Sequence, residues 1–514
     1  MSENTPSLSA VKEALTGKRK TFEMDSHTGP SLVEDLEPRV KNLLGGRKKA
    51  HMMTGISGSQ KALLAASLLR SFGQAVIVVP EQKDIFRWEE DLAFFAPDFE
   101  VHPFPLVEEA GFNVTFSGME RQRDRMQALS RLMDRKKTVI LASSVEAAQK
   151  IVGPLALKDH ALSFALGQEI EREELLEKLV SAGYERVDQV ERCGHFAVRG
   201  DIVDVFPVSE THPVRMEFFG DEIDSLRSFD EDSQRSIENF KEVMILPLSL
   251  KEEKDSILFD YLNKGLIIYD EPQRGEEGLK RFFKEERENR KRALSFHDMA
   301  VRGRKGNREI ILSLLNRSLD DFSPEVHSWQ GQSMTNYQRQ IPIFIEDLKA
   351  LLKKEWKVLF VVPRASEEEE LKGILKEYDI PLSEELMPSA VHLIHGVLSE
   401  GYEMAEDKLA VLTAGDVLGK QKIRRVRGAG RGRQIRYFSD LNVGDYVVQD
   451  VHGIGKYLGI KTIELSGVHR DYIAIQYAGN DKLYLPVEKI STLEKYIGPE
   501  GGTPVLSKMG EAHW

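Results

Sequence analysis

The sequence has 514 residues, which is too long for one hydrophobic core because domains usually contain about 100 to 200 residues. Hydrophobic residues make up 41% and charged residues 30%, and no apolar run approaches the ~20 residues that cross a bilayer. A net charge of -12 argues against wrapping of nucleic acid by the whole chain, since such binding relies on clustered Lys and Arg. We expect several soluble domains.

Residues 1–30 form a polar leader without the apolar stretch of a secretory signal. Cys193 is the sole cysteine, which fits a reducing compartment and excludes an internal disulfide and a cysteine-rich zinc site. His452 has no other histidine at ligand spacing, so no metal site is predicted. The expected location is the cytoplasm.

Residues 31–152 alternate between helical and strand-like patterns. Such alternation implies a parallel sheet covered by helices. Helices are expected at 32–44, 62–72, 81–95 and 119–134, and strands at 74–80, 100–104 and 137–144.

A near-match to a phosphate-binding loop begins at Gly55, between a predicted strand and a predicted helix. That loop needs a glycine before its lysine, so that the backbone can wrap phosphates, and Ser or Thr after it to hold magnesium. Gln60 and Ala62 occupy those positions on either side of Lys61. The pattern favours a relic structural loop without catalytic residues, although its turn could attract an anion. A divergent NTPase with a working loop is the alternative.

The sequence pattern of residues 153–244 differs and predicts a small α+β module, with a charged helix at 171–182 followed by short alternating strands. Arginines surround an aromatic residue on these strands. Such clusters are typical interface anchors, because guanidinium groups pair with carboxylates and the ring supplies buried area. A solvated charged surface is the alternative. The cluster comprises Arg186, Arg192, Phe196 and Arg199.

Residues 245–335 again show a mixed α/β pattern, with a predicted strand at 265–272 and a predicted charged helix at 280–292. The strand ends in Asp270-Glu271, which imitates the acidic pair that positions magnesium in ATPases. It is far downstream of the lysine, and a strand that ends in an acidic turn explains it equally well. A further small α/β domain is expected at 340–419.

Residues 420–438 form a basic, glycine-interrupted segment that indicates a flexible linker. The alternative is a DNA-contacting strap that includes Arg424, Arg425 and Arg427. Beyond it, short glycine-separated strands in 439–502 predict a small closed β-barrel of SH3 or Tudor type. These strands carry more apolar residues than so small a core can bury, which indicates an interaction face.

Two segments together resemble the bacterial transcription-repair coupling factors (Mfd). Residues 182–236 resemble the module that this family shares with the repair protein UvrB, and 443–490 resemble its RNA polymerase interaction domain, which is related to CarD. Finding both in this order is specific. A UvrB identity is disfavoured, because the phosphate loop is degraded and no tyrosine-rich hairpin follows residues 101–105.

The resemblance implies a multidomain α/β and α+β fold, with UvrB-like degenerate helicase-type domains followed by a small α/β domain and a CarD-like SH3/Tudor-type β-barrel. Residues 503–514 would begin the linker to a DNA translocase motor that the chain lacks. ATP and magnesium would then belong to that motor, and no cofactor is expected here. The implied domains are 31–152 (1a), 153–244 (2, UvrA-binding), 245–335 (1b), 340–419, and 439–502 after the linker.

The family's role implies an adaptor in transcription-coupled nucleotide-excision repair. The arginine cluster would contact UvrA, with Ala197 standing where UvrB has a further arginine. Ile463, with Tyr457 and Lys461, would contact the RNA polymerase β subunit. The chain would act as a monomer and reach duplex DNA mainly through the motor. The alternative is a motor-free regulator of CarD type, which would bind polymerase without UvrA.

Overall fold

The computed structural model shows a mixed α/β chain with several sheets. None of the helices in the described ranges has the length and apolar character that crossing a bilayer requires. The structure describes residues 28–44, 50–106, 116–231, 233–248, 254–285, 288–315, 322–329, 331–419, 433–434, 443–449, 453–465, 468–486, 493–495 and 506–507.

A seven-stranded parallel sheet is assembled from two separated stretches of sequence. Its central strands are short apolar runs that are buried at every position, as is typical of parallel sheets with both faces covered. The strand order is β15-β1-β14-β13-β2-β4-β3. The strands are β1 Ala50–Thr54, β2 Gln74–Val79, β3 Glu100–Pro103, β4 Thr138–Ser143, β13 Leu266–Asp270, β14 Arg308–Ser313 and β15 Glu325–Ser328.

Helices cover both faces of this sheet. Successive residues of a strand point to opposite faces, so Ile77 joins the core beneath α1, α2 and α3, whereas Val76 joins the core beneath α4, α5, α8 and α10. The expected helix at 280–292 is wrong in its bounds. Pro272 suits a first helical turn, and the helix begins there and ends at Glu285. The helices are α1 Thr28–Leu44, α2 Gln60–Phe72, α3 Ile85–Phe95, α4 Phe116–Met133, α5 Ser144–Ala148, α6 Pro154–Asp159, α8 Pro272–Glu285, α9 Asn289–Arg292 and α10 Phe296–Gly303.

An α+β unit is inserted between β4 and β13. Helix α7, Arg172–Ser181, packs on a six-stranded sheet of order β11-β10-β9-β8-β7-β6. Gly220, with φ +65°, makes the tight turn between β9 and β10. A two-stranded ladder of β5 and β12 stands beside this sheet. The strands are β5 Leu162–Ala165, β6 Glu185–Arg186, β7 His195–Arg199, β8 Ile202–Val205, β9 Val214–Phe219, β10 Glu222–Phe229, β11 Ser236–Asn239 and β12 Glu242–Ile245.

The third unit is a mixed sheet of order β16-β20-β21-β17-β19-β18, with three helices. It packs against the first unit, because Leu359, Val361 and Ile394 belong to the same hydrophobic cluster as α1–α3. At Gly396 an added Cβ would stand 2.7 Å from the Phe94 ring, so the close packing of this ring against the third unit depends on glycine. The elements are β16 Gly331–Ser333, α11 Ile341–Lys353, β17 Lys357–Val362, α12 Ala365–Glu377, β18 Leu382–Ser383, β19 Val391–His395, β20 Tyr402–Met404, β21 Leu409–Thr413 and α13 Ala414–Leu418.

The last unit is an antiparallel sheet of order β22-β27-β23-β24-β25-β26 around a small apolar core. Gly479, with φ +75°, lies in the turn between β25 and β26, and closure into an SH3- or Tudor-type barrel stays a prediction. The strands are β22 Arg433–Gln434, β23 Tyr446–Gln449, β24 Gly453–Leu465, β25 Val468–Gln476, β26 Lys482–Pro486 and β27 Leu493–Lys495.

Candidate functional site

The lysine loop, residues 55–61, connects β1 to α2 at the carboxyl edge of the parallel sheet. Gly55 and Gly58 have φ values of +72° and +55°, a conformation that side chains disfavour, so the turn favours glycine at both positions. An added Cβ at Gly58 would stand 3.0 Å from the carbonyl oxygen of Gly401. The third unit therefore presses directly on the loop.

Lys61 pairs with the two acids at the end of β13. Its Nζ donates to Asp270 Oδ1 at 2.6 Å and to Glu271 Oε1 at 3.0 Å. Burial acts to lower the pKa of Lys61, but the two neighbouring carboxylates outweigh it and the pKa is raised. The phosphate-loop lysine and the magnesium-type acidic pair, far apart in sequence, therefore form one ion-pair cluster.

Other donors occupy the same carboxylates. The Trp88 indole donates to Asp270 Oδ2 at 3.0 Å, the Leu314 backbone N–H donates to Glu271 Oε1 at 2.8 Å, and the Ser313 hydroxyl donates to Glu271 Oε2 at 3.1 Å. Each of the four carboxylate oxygens accepts at least one hydrogen bond from protein. A magnesium ion would have to displace these donors, and Ala62 provides no hydroxyl to help hold it.

Gln60 fills the space beside the loop. Its side chain is buried, and an added Cβ at Gly331 would stand 2.0 Å from Gln60 Oε1. The Gly331 backbone N–H also donates to the Gly55 carbonyl at 2.8 Å. Strand β16 therefore packs directly against the lysine loop.

Asp91 on α3 joins the loop to the third unit. Its Oδ1 accepts from the Ser59 hydroxyl at 2.9 Å and from the Ser399 backbone N–H at 2.7 Å, and its Oδ2 accepts from the Ser399 hydroxyl at 2.8 Å. Burial raises the pKa of Asp91 to about 7, against the opposing effect of these hydrogen bonds. The contact is therefore pH-dependent.

The members of the arginine cluster differ in their exposure and in their partners. Arg186 on β6 and Arg199 on β7 are exposed, and Arg192 donates to His195 Nε2 at 2.7 Å. Phe196 is fully buried in the core of the α+β unit. Its predicted role as an exposed anchor is therefore wrong, because its ring packs between the sheet and α7.

The buried carboxylate of Asp204 orients part of this surface. It accepts from Arg199 at 2.9 Å and from Arg215 at 2.7 and 2.8 Å. Arg199 is 47% exposed while Asp204 is 1% exposed, so the guanidinium is held from below and presents its remaining donors outward. The sequence pattern H-F-A-V-R indicated Arg199 as a candidate contact residue, but it did not indicate that Asp204 would be its partner.

In the carboxyl-terminal sheet, β24 and β25 form a long ribbon. Lys461 is exposed on β24, and Ile463 is paired in register with Arg470, although its side chain lies outside the described part of the structure. Tyr457 is buried in the core, so its prediction as a contact residue is wrong. Arg424, Arg425 and Arg427 also lie outside the described residues.

Comparisons with known proteins support both modules. The UvrB interaction domain matches residues 162–250, and the CarD-like/TRCF RID domain matches residues 441–497. The transcription-repair-coupling factor of Bacillus subtilis strain 168 is 28% identical over 96% of this chain and 48% of its own length. The chain is thus similar to transcription-repair-coupling factors along most of its length. Factors from Staphylococcus haemolyticus (26%) and Staphylococcus epidermidis (27%) match 90% of this chain and 46% of their own length. The chain thus spans about half the length of the curated relatives it matches.

Within the segment that matches the UvrB interaction domain, one exposed aromatic residue was not among the predicted contact residues. Phe219 ends β9 and is 80% exposed beside the Gly220 turn. The alternation in V-R-M-E-F-F buries Val214, Met216 and Phe218, and it places Phe219 on the polar face with Arg215. The period-two pattern alone could have identified it as an exposed ring.

Proposed function

We propose that this chain is the docking portion of a transcription-repair coupling factor, in which one module recruits UvrA and another binds the RNA polymerase β subunit. The observation that supports this most directly is the presence of a UvrB interaction domain and a CarD-like/TRCF RID domain on one chain. Repair would thereby be directed to a stalled polymerase. The chain would act as a cytoplasmic monomer.

The proposed UvrA surface lies along the exposed parts of the neighbouring strands β6 and β7. Arg186 and Arg199 are both exposed, and the two strands pair through Glu185 with His195 and Arg186 with Phe196. Asp204 fixes the direction of the Arg199 guanidinium, which reduces the side-chain entropy lost on binding a carboxylate. Phe219 supplies an exposed ring in the same module. These features suit an acidic partner surface.

Charge reversal tests this surface. Arg186→Glu with Arg199→Glu should weaken binding of purified UvrA by at least about 100-fold, because charge-assisted hydrogen bonds contribute about 1.5 to 3 kcal/mol each and about 1.4 kcal/mol corresponds to tenfold. Lys178→Glu on α7 is the matched control, since Lys178 is exposed on the same module. Equal loss in the control, or no loss in the double variant, would contradict the assignment.

The proposed polymerase surface is the free end of the β24–β25 ribbon. Strand β23 pairs with β24 up to Lys456 and β26 pairs with β25 from Tyr472, so among the described strands residues 460–465 pair with β25 alone. Ile460 is 46% exposed there. An apolar, one-sided strand is suited to strand addition or to packing against a partner.

Ile463→Arg tests this ribbon by placing a charge in the proposed apolar contact. RNA polymerase binding should fall by more than about tenfold, while UvrA binding stays unchanged. Lys482→Glu on β26 is the control, because Lys482 is exposed and pairs with Gln476, at the opposite end of the ribbon from residues 460–465. Retained polymerase binding by Ile463→Arg would move the contact elsewhere.

The lysine loop is proposed to be a structural remnant of a helicase-type nucleotide site. Lys61 is paired with Asp270 and Glu271, and Gln60 and Gly331 close the turn. Calorimetric titration with Mg-ATP should show no binding heat, and saturable heat would instead support a divergent NTPase. The ATP-driven translocation that the resemblance implies would therefore not come from this loop. We also propose that the carboxyl-terminal sheet closes into a small β-barrel of SH3 or Tudor type.

A further inference from the structure

Three potential metal ligands meet at the edge of the parallel sheet. His51 is on β1, and Glu325 and His327 are on its neighbour β15, where Glu325 is the register partner of His51. One ligand atom from each side chain lies within 4.8 Å of the other two. His51 is fully buried, whereas Glu325 and His327 are half-buried, so an ion could enter from solvent.

We propose that His51, His327 and Glu325 bind a divalent transition-metal cation such as Zn²⁺. His51 Nδ1 and His327 Nε2 stand 3.2 Å apart. Two Zn–N bonds of about 2.05 Å at a tetrahedral angle place their nitrogens about 3.3 Å apart. Two imidazoles and a carboxylate form a ligand set that zinc, cobalt and nickel accept, with a fourth position left for water.

A proton shared between the two imidazoles is the competing explanation for the same distance. Arg308 Nη1 lies 3.4 Å from His51 Nε2, and a hydrogen bond donated there would place the ring proton of His51 on Nδ1. The contact is long, and the same Nη1 lies 3.4 Å from the Leu44 carbonyl oxygen. Arg308 can therefore keep the carbonyl partner while His51 Nδ1 binds an ion.

The ion would fasten a weak edge of the fold. Strand β15 has four residues and pairs with β1 alone among the described strands, and it leads directly into β16 of the third unit. A cation bound by residues of both β1 and β15 would hold β15, and the chain that follows it into β16, against the sheet beside the lysine loop. The sequence predicted no metal site because His51 and His327 are 276 residues apart and carry no local ligand spacing.

Metal binding to the whole chain tests the proposal. Zn²⁺ should bind with one equivalent that is lost in His327→Gln, and Co²⁺ should give the absorption of a tetrahedral site. Loss of an outer partner alone costs about 10- to 100-fold in affinity, so loss of this direct ligand should cost at least about 100-fold. Glu325→Gln should bind Zn²⁺ more weakly than the wild type. His102→Gln is the control, because it removes a histidine that contacts Glu100 instead of this cluster, and it should bind Zn²⁺ like the wild type.

Hydrogen exchange of the unmodified protein provides a test that is independent of folding of the variants. Amides of 325–328 should exchange more slowly with Zn²⁺ than with EDTA, because a clipped edge strand opens less often. Equal exchange in the two conditions, or the same Zn²⁺ uptake by the wild type and His327→Gln, would overturn the proposal. A proton between His51 and His327 would then account for their separation.

Discussion

Replacement of Lys61 by methionine should expose the structural role of the lysine loop. The change keeps the length of the side chain but removes its charge, and it leaves Asp270 and Glu271, with 11% and 20% of their side chains exposed, without their cation. Removing one partner of a buried pair costs about 3 to 5 kcal/mol. Because some solvent reaches this cluster, we expect about 3 kcal/mol.

Arg70→Met is the matched control on the same helix. Arg70 pairs with Glu34 at 3.1 Å, but their side chains are 34% and 63% exposed, and such surface pairs contribute at most about 1 kcal/mol. Lys61→Met combined with Asp270→Asn should recover part of the loss. The asparagine carbonyl can still accept from Trp88, while one uncompensated charge disappears.

Hydrogen exchange is the appropriate assay because a chain of several domains does not unfold in one step. A loss of about 3 kcal/mol should accelerate exchange of the Leu266–Asp270 amides by roughly 100-fold, since about 1.4 kcal/mol corresponds to tenfold. Unchanged exchange in Lys61→Met, or acceleration equal to that of Arg70→Met, would refute the claim that Lys61 serves the fold. Saturable Mg-ATP binding by the wild type would point to nucleotide chemistry instead.

Other predictions concern pH, the UvrB interaction domain and the linker. The pKa of Asp91 is raised from 3.8 to about 7, so the native state binds the extra proton and loses stability as pH rises between these values. This rise in the pKa corresponds to about 4 kcal/mol, which Asp91→Asn should gain relative to the wild type between pH 4 and pH 8 in the free energy of opening reported by hydrogen exchange of the Ile85–Phe95 amides; parallel pH dependences in the two proteins would contradict this. Phe219→Ser should weaken UvrA binding severalfold and leave thermal unfolding unchanged, since an 80% exposed ring stabilises little; unchanged UvrA affinity would remove it from the interface. Charge reversal at Arg424, Arg425 and Arg427 should weaken DNA binding and reduce its salt dependence, and identical salt slopes would exclude the strap.

Strands β2, β4 and β13 of the parallel sheet were predictable because buried β-branched runs such as A-V-I-V-V leave few alternatives, whereas β14 and β15 were not predicted. The meeting of Lys61 with Asp270 was not, because it depends on sheet order. Strand β13 stands two places from β1 with β14 between them, and local patterns contain no information on that order. The same limit hid the approach of His51 to His327.

The two mistaken contact residues have local causes. Strand β7 is packed on both faces, with Phe196 in one cluster and Ala197 in another, so period-two patterning could not separate inside from outside. In β24 the register shifts between Tyr457 and Gly459, and Gly459 has φ +104°. Such a bulge reverses the alternation of inward and outward side chains. Strict alternation counted back from the exposed Lys461 would therefore place Tyr457 on the exposed face, which is wrong.

Simultaneous capture of both partners tests the adaptor account most directly. Immobilised RNA polymerase would be incubated with purified UvrA, with and without this chain. The account predicts that UvrA is retained when the chain is present, and that Ile463→Arg or the pair Arg186→Glu with Arg199→Glu each abolishes its retention. Polymerase that holds the wild-type chain but never UvrA would contradict the adaptor function and favour a regulator that binds polymerase alone.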